Sequence, residues 1–371
     1  MWINATPRKE FLRKILRRHL LLIVLVAVYS AVIWAIPAAQ LEEATGAALL
    51  VAVKNISKFI PQIICIILIW RVFQATYVVR PANRLTWMKE DIVAFLRDRE
   101  RLVSGVAAIV IVSIGLATSA RGKSLVPLLS GFSWDETFME IDRTLHLGFH
   151  PFELVFSLLP SSNFLGFVAY NYSFWFTLFF FVLYTTCFVR PDSPIRMQYL
   201  VAVILVWAIG GNLIATIFSS AGPVYYERLG LGPTFTPLEQ LLQEKSGRAM
   251  RGVFVLQDKL WSMYQTPGGL SVISAFPSMH VATSTLMAIV AFHFRRWAGV
   301  LMTIFAGLIM LGSVMLGWHY AVDGYAGALI AVICWKASGW LIRSPVGPFA
   351  TLRTTSFDPV VAERSPQSSQ K

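Results

Sequence analysis

The sequence predicts an all-α fold, a polytopic membrane helix bundle of about eight transmembrane helices, six of which form one core. Three observations predict it. Charged residues make up 14% of the 371-residue chain and hydrophobic residues 56%, whereas a soluble domain carries about 25% charged residues. Apolar runs of about the 20 residues that a helix needs to cross hydrocarbon recur eight times. Lysine and arginine are also unevenly shared between alternate connecting segments.

The net charge is +12. On a soluble protein that balance suggests nucleic acid. Here the basic residues flank apolar runs and orient them, so no nucleic-acid partner is expected. Cys65, Cys187 and Cys334 all fall within apolar runs. Their spacing matches neither a metal site nor a disulfide framework, and they read as small packing residues.

Residues 2–19 interleave Arg8, Lys9, Arg13, Lys14, Arg17 and Arg18 with Phe11, Leu12, Ile15 and Leu16, the pattern of an amphipathic surface helix. Leu20 to Pro37 is the first span. Ala35-Ile36-Pro37-Ala38-Ala39 has the small residues of a signal cleavage site, but the apolar run is long for a signal peptide, so a retained anchor is expected. The other spans are expected at about 59–79, 102–120, 164–189, 199–218, 276–294, 297–317 and 320–342. Arg71 interrupts the second, and Lys54 and Lys58 blur its start.

Residues 1–101 thus form a basic N-terminus with two accessory spans. Residues 102–343 form a six-span core, and 344–371 a polar, proline- and serine-bearing tail expected to be disordered. The segment 121–160 holds Asp135, Glu136, Glu140, Asp142 and Arg143 among Trp134, Phe138 and Leu145. It predicts short helices lying at the outer interface, with His146 and His150 as surface histidines. Asn171, Asn212 and Thr216 inside spans predict interhelical hydrogen bonds. Trp175, Trp297, Trp318 and Trp340 predict an interfacial belt.

Twenty Lys and Arg lie on the side of the termini and ten on the opposite side. The positive-inside rule then places both termini in the cytoplasm, and the segments at 121–160, 219–275 and around 319 on the other face. Compact connections suggest a bacterial inner membrane, with the latter segments in the periplasm.

Two short stretches carry the chemistry. Phe276-Pro277-Ser278-Met279-His280 opens the sixth span. Pro277 suits a first helical turn. The unpaired N–H groups there, with the helix dipole, make an anion seat, to which Ser278 adds a hydroxyl. Trp318-His319-Tyr320-Ala321-Val322-Asp323 closes the seventh span and opens the eighth. His319 and Asp323 are four apart and share a helical face. The carboxylate can hold one imidazole nitrogen and leave the other free to attack. An ionisable pair at a span end is functional by default, although a structural cap on the eighth helix explains the pair equally well. The topology brings His280 and His319 to one face, where one ring can attack phosphorus and the other protonate the leaving oxygen.

These stretches resemble the second and third signatures of the type 2 phosphatidic acid phosphatase superfamily. The Trp-His-Tyr-x-x-Asp form is most similar to its inositol phosphorylceramide synthase branch. The resemblance implies His319 as a nucleophile forming a phosphohistidine, Asp323 as its orienting partner and His280 as the general acid. It departs from the phosphatase branch at three places. Gly312-Ser313 stand where that branch has Ser-Arg, Met279 stands for a glycine, and the Lys-x6-Arg-Pro signature is missing from 219–228. The synthase-like branch is therefore favoured.

Phosphate must then be held by other groups. The candidates are Arg228, Lys259, Arg251, the hydroxyls of Tyr225 and Tyr226, and the N–H groups around Ser278. The Gly268-Gly269 pair is a candidate flexible entry to the sixth span. The expected partners are a lipid phosphate and an alcohol acceptor. No metal or other cofactor is expected, since a phosphohistidine route needs none. The alternatives are a simple lipid-phosphate or polyprenyl-diphosphate phosphatase, a metal-dependent membrane hydrolase, and a transporter with a His–Asp relay.

Overall fold

The computed structural model describes residues 5–37, 60–245, 247–266 and 272–344. The tail from 345, the Gly268-Gly269 pair, Lys54, Lys58 and the Ala38-Ala39 end of the first span lie outside the described residues. Among those described there are thirteen helices and no strand. They are α1 (Ala5–Ala35), α2 (Ile60–Val78), α3 (Arg84–Arg97), α4 (Arg99–Ser130), α5 (Asp135–Leu145), α6 (Pro151–Leu158), α7 (Ser162–Cys187), α8 (Pro194–Ile217), α9 (Thr236–Glu244), α10 (Arg248–Gln265), α11 (Met279–Phe294), α12 (Arg296–Met315) and α13 (Ala321–Arg343).

Seven of these, α1, α2, α4, α7, α8, α12 and α13, are long and apolar enough to cross a membrane. The eighth predicted span is α11, apolar but only 16 residues long. At 1.5 Å per residue it reaches about 24 Å, short of the roughly 30 Å hydrocarbon thickness. Its missing turn is replaced by the irregular stretch 272–278, which ends in Phe276-Pro277-Ser278.

The central helix is α8. Ser193 caps it, its hydroxyl accepting from the Arg196 N–H at 3.4 Å, and Pro194 occupies the first turn. Every residue from Arg196 to Ile204 is buried, as expected of a helix that is packed all round. A π-helical stretch, Val206–Ile214, follows. Around α8 pack α1, α4, α7, α11 and α13. α11 and α12 form an antiparallel hairpin, and α13 lies against α11 and α8.

α1 shows how the pattern sorts core from surroundings. Leu12, Leu16, Leu20, Val24, Val28 and Val32, one every four residues, are exposed, whereas Ile15, Leu22, Val26, Tyr29 and Ile33 are buried. The exposed stripe is what a lipid-facing helix presents. At its basic end Lys14 pairs with Glu100 at 3.0 Å, and Arg18 bridges Glu100 and Asp192.

Three details differ from the sequence-based expectation. The third span does not stop near residue 120: α4 runs on to Ser130 through Arg121 and Lys123, because apolar Leu125 to Leu129 continues the run. Asn212 does bond between helices, to Tyr29 and to the Ser119 carbonyl at 3.2 Å. Asn171 and Thr216 instead bond to carbonyls one turn back on their own helices.

Candidate active site

Two helix ends build the site. α11 begins at Met279, and its N-cap is Ser278, whose hydroxyl accepts from the Val281 N–H at 3.5 Å. Pro277 therefore precedes the cap instead of opening the helix, and the Ser278 hydroxyl is engaged in capping. The stretch before it is pinned to the rest of the bundle. The Ala275 N–H donates to the Ser220 carbonyl at 2.8 Å, and the Ser278 N–H to the Asp323 carbonyl at 2.9 Å. Gly210 and Gly211 of α8 leave room for Pro277 and Met279, which lie 3.3–3.7 Å from where their β-carbons would stand.

His319 sits in the turn between α12 and α13. Its N–H donates to the Ser313 carbonyl at 3.1 Å. Its Nδ1 lies 3.3 Å from Asp323 Oδ2, which also accepts from the Tyr320 N–H at 3.0 Å. Asp323 is fully buried, and its Oδ1 has no hydrogen-bond partner among the described residues. The His280 and His319 ring centroids are 6.1 Å apart, with the rings at 65° to each other. His280 is held from behind by Tyr172, stacked at 4.6 Å, and Trp175 at 4.2 Å. Trp175 is fixed in turn by its Nε1–H bond to Thr283 Oγ1 at 3.1 Å.

Burial is the main influence on the His319 imidazole and lowers its pKa to about 3. The Lys123 charge acts the same way, and the backbone of Ala275 opposes both. A neutral ring at ordinary pH keeps a lone pair available for attack.

Lys123 is one residue the sequence reading missed. From α4 its ammonium group lies within Coulombic range of both imidazoles. No carboxylate pairs with it among the described residues. Its signal was present in the chain: a cation with apolar residues on both sides, inside what proves to be a span.

The other sequence candidates gather elsewhere. Arg228 pairs with Asp258 at 2.7 Å and lies about 6 Å from the centroids of the Tyr225 and Trp261 rings. The Tyr225 hydroxyl donates to the Gln257 carbonyl at 3.1 Å. Tyr226 packs edge-on against Phe235 at 5.2 Å. Arg251 and Lys259 are exposed on α10. None of these five hydrogen-bonds to either histidine among the described residues.

The α5 segment was expected as a short helix lying at the outer interface. Its Asp135 and Asp142 are instead buried and turn inward to the His319 turn. Among the described residues, no group of three or more His, Cys, Asp or Glu is placed to hold a metal ion.

A family model described as the PAP2 superfamily matches residues 136–337, more than half of the chain. Neither a curated protein nor a solved structure matches it.

Proposed function

The chain belongs to the PAP2 superfamily, and we propose that it cleaves a lipid phosphoester at the extracytoplasmic face through a phosphohistidine on His319. Membership itself supports a membrane-embedded phosphoesterase of phosphatase type acting on a lipid phosphate. The observation that carries the finer reading is the 6.1 Å separation of two imidazoles with one lysine charge reaching both.

In the first step the His319 nitrogen not facing Asp323 attacks phosphorus. The P–O bond to the leaving group breaks, and His280 gives its proton to the departing oxygen. Asp323 steadies the imidazole as it becomes positive, and Lys123 faces the phosphoryl oxygens, whose charge must be held in the transition state. In the second step water or an alcohol hydroxyl attacks the phosphohistidine. His280 takes that proton, and the P–N bond breaks to restore His319.

The acceptor decides between a hydrolase and a synthase. Trp318-His319-Tyr320 and Met279, with Gly312-Ser313 in place of Ser-Arg, favour transfer of a phospho-head group to an alcohol, as in the inositol phosphorylceramide synthase-like branch. A simple phosphatase is the second reading, favoured by the direct match to the superfamily alone. A panel of lipid phosphates incubated with the purified protein, with and without polyol or lipid alcohol acceptors, separates them. Product that requires the acceptor supports transfer. Phosphate release in water alone at the full rate supports hydrolysis.

A further inference from the structure

His319 belongs to a turn, and a turn positions a nucleophile only if its backbone is held. The N-terminus of α13 leaves N–H groups without intrahelical partners, and its N-cap residue, Tyr320, supplies no side-chain hydrogen bond to them. The missing acceptors come from α5. Asp142 Oδ2 accepts from the Ala321 N–H at 2.7 Å, and its Oδ1 from the Val322 N–H at 2.9 Å. Asp142 is thus a cap supplied from outside the helix, with negative charge at the positive end of the dipole.

Asp135, two turns earlier on the same helix, accepts from the Tyr320 hydroxyl at 2.9 Å and from the N–H groups of Ala221 and Gly222, both at 2.8 Å. Gly222 has φ +100°, and a β-carbon there would stand 2.5 Å from the Trp318 carbonyl oxygen. The backbone of Trp318, His319 and Tyr320 is therefore held on one side by the Gly222 turn that Asp135 fixes. It is held on the other by the helix start that Asp142 fixes. Burial pushes both α5 carboxyls above the ordinary carboxylate range, and the bonds they accept pull back. Two carboxylates are rarely buried without such a task.

We propose that Asp142 and Asp135 are positioning residues, which set the place of His319 by holding the backbone on both sides of it. The proposal rests on the reading of His319 as the nucleophile. Both carboxylates are buried and engaged by the bonds just described, so on this proposal their loss acts on the chemical step and not on binding. A displacement of about 1 Å at a reacting group costs on the order of a hundredfold in rate.

The test uses full-length Asp142→Ala and Asp142→Asn, with Asp135→Asn, in detergent micelles on dioctanoyl phosphatidate. Each is checked for folding by size-exclusion and unfolding temperature, with His319→Ala run in parallel. The asparagine keeps one carbonyl oxygen and so one of the two bonds. Asp142→Ala should lower kcat by about a hundredfold with KM within about threefold, and Asp142→Asn should recover about tenfold of that. Asp135→Asn should lower kcat, again with KM little changed. A folded Asp142→Ala or Asp135→Asn enzyme with wild-type kcat overturns the proposal. So does a loss confined to KM, or an asparagine at 142 no better than alanine. If Asp142→Ala does not fold, the kcat of Asp142→Asn alone decides: a wild-type value overturns the proposal and a reduced one supports it. Turnover retained by His319→Ala would instead remove the phosphohistidine reading, whatever the α5 variants do.

Discussion

His280 and His319 face each other across 6.1 Å although they stand at the ends of different helices. One opens α11 and the other follows α12, so the hairpin returns the chain to the end from which it started. The two rings have different supports. His319 is bonded to Asp323, and His280 is packed against Tyr172 and Trp175. Different supports imply different roles. His319→Ala should abolish turnover. His280→Ala should lose about 10²–10⁴ in kcat on a lipid ester and recover most of it on a substrate with a nitrophenolate leaving group, which needs no proton. Equal, mild losses in both variants on both substrates contradict the assignment.

Lys123, rather than a cation of the 219–275 segment, is the basic side chain whose charge acts on both imidazoles. Lys123→Ala should reduce kcat/KM by about 10²–10³, with Lys123→Arg intermediate. Arg228→Ala, whose guanidinium is tied to Asp258, and Lys259→Ala, exposed on α10, should stay within a few-fold of wild type. Inhibition constants for inorganic phosphate on the same variants check the point independently. A larger loss from Arg228→Ala than from Lys123→Ala moves the phosphate grip to the other segment.

The contact between α11 and α13 depends on Gly327. A β-carbon there would collide with the Ser278 carbonyl, so Gly327→Ala must push the start of α11, and His280 with it, away from α13. Overpacking of this kind costs about 1–3 kcal/mol. The unfolding temperature should fall and kcat should fall with it. Gly307→Ala, at a position where nothing lies within 4 Å, should do neither, and serves as the control.

Burial lowers the folded-state pKa of His319 to about 3, below the value of about 6.5 for an exposed histidine. The unfolded chain therefore binds the proton more strongly. The contribution of the neutral ring to stability is complete above about pH 6.5 and is lost as pH falls toward 3. Between pH 6.5 and 5 this single group accounts for at most about 2 kcal/mol. The unfolding temperature of His319→Gln should thus fall less on acidification over that window than that of the wild type. Parallel curves would mean that His319 titrates normally.

The helix bundle and the two histidines were readable in the chain because both depend on local pattern. Apolar runs mark spans, and the four-residue step from His319 to Asp323 marks a pair in reach of each other, although His319 lies in the turn before α13 and not on its face. Two consecutive spans were enough to bring His280 and His319 to the same end. Lys123 was missed because the third span was ended at the first basic residue, Arg121, whereas the apolar residues from Leu125 onward carry the helix further. Asp135 and Asp142 were missed for another reason. Their spacing is that of an ordinary amphipathic helix, and their partners lie some 180 residues away in sequence. No local pattern distinguishes a carboxylate facing water from one facing a distant helix end. Met279, read only as a departure from a glycine, packs against Gly211 of α8, a pairing visible only once the helices are placed.

The central claim is a covalent phosphoryl group on His319, and rapid quench with ³²P-labelled substrate tests it most directly. Label that survives base, is lost in acid, maps to the peptide containing His319 and is absent from His319→Ala is the predicted result. Turnover at full rate with no label on protein, or label on a different side chain, contradicts it.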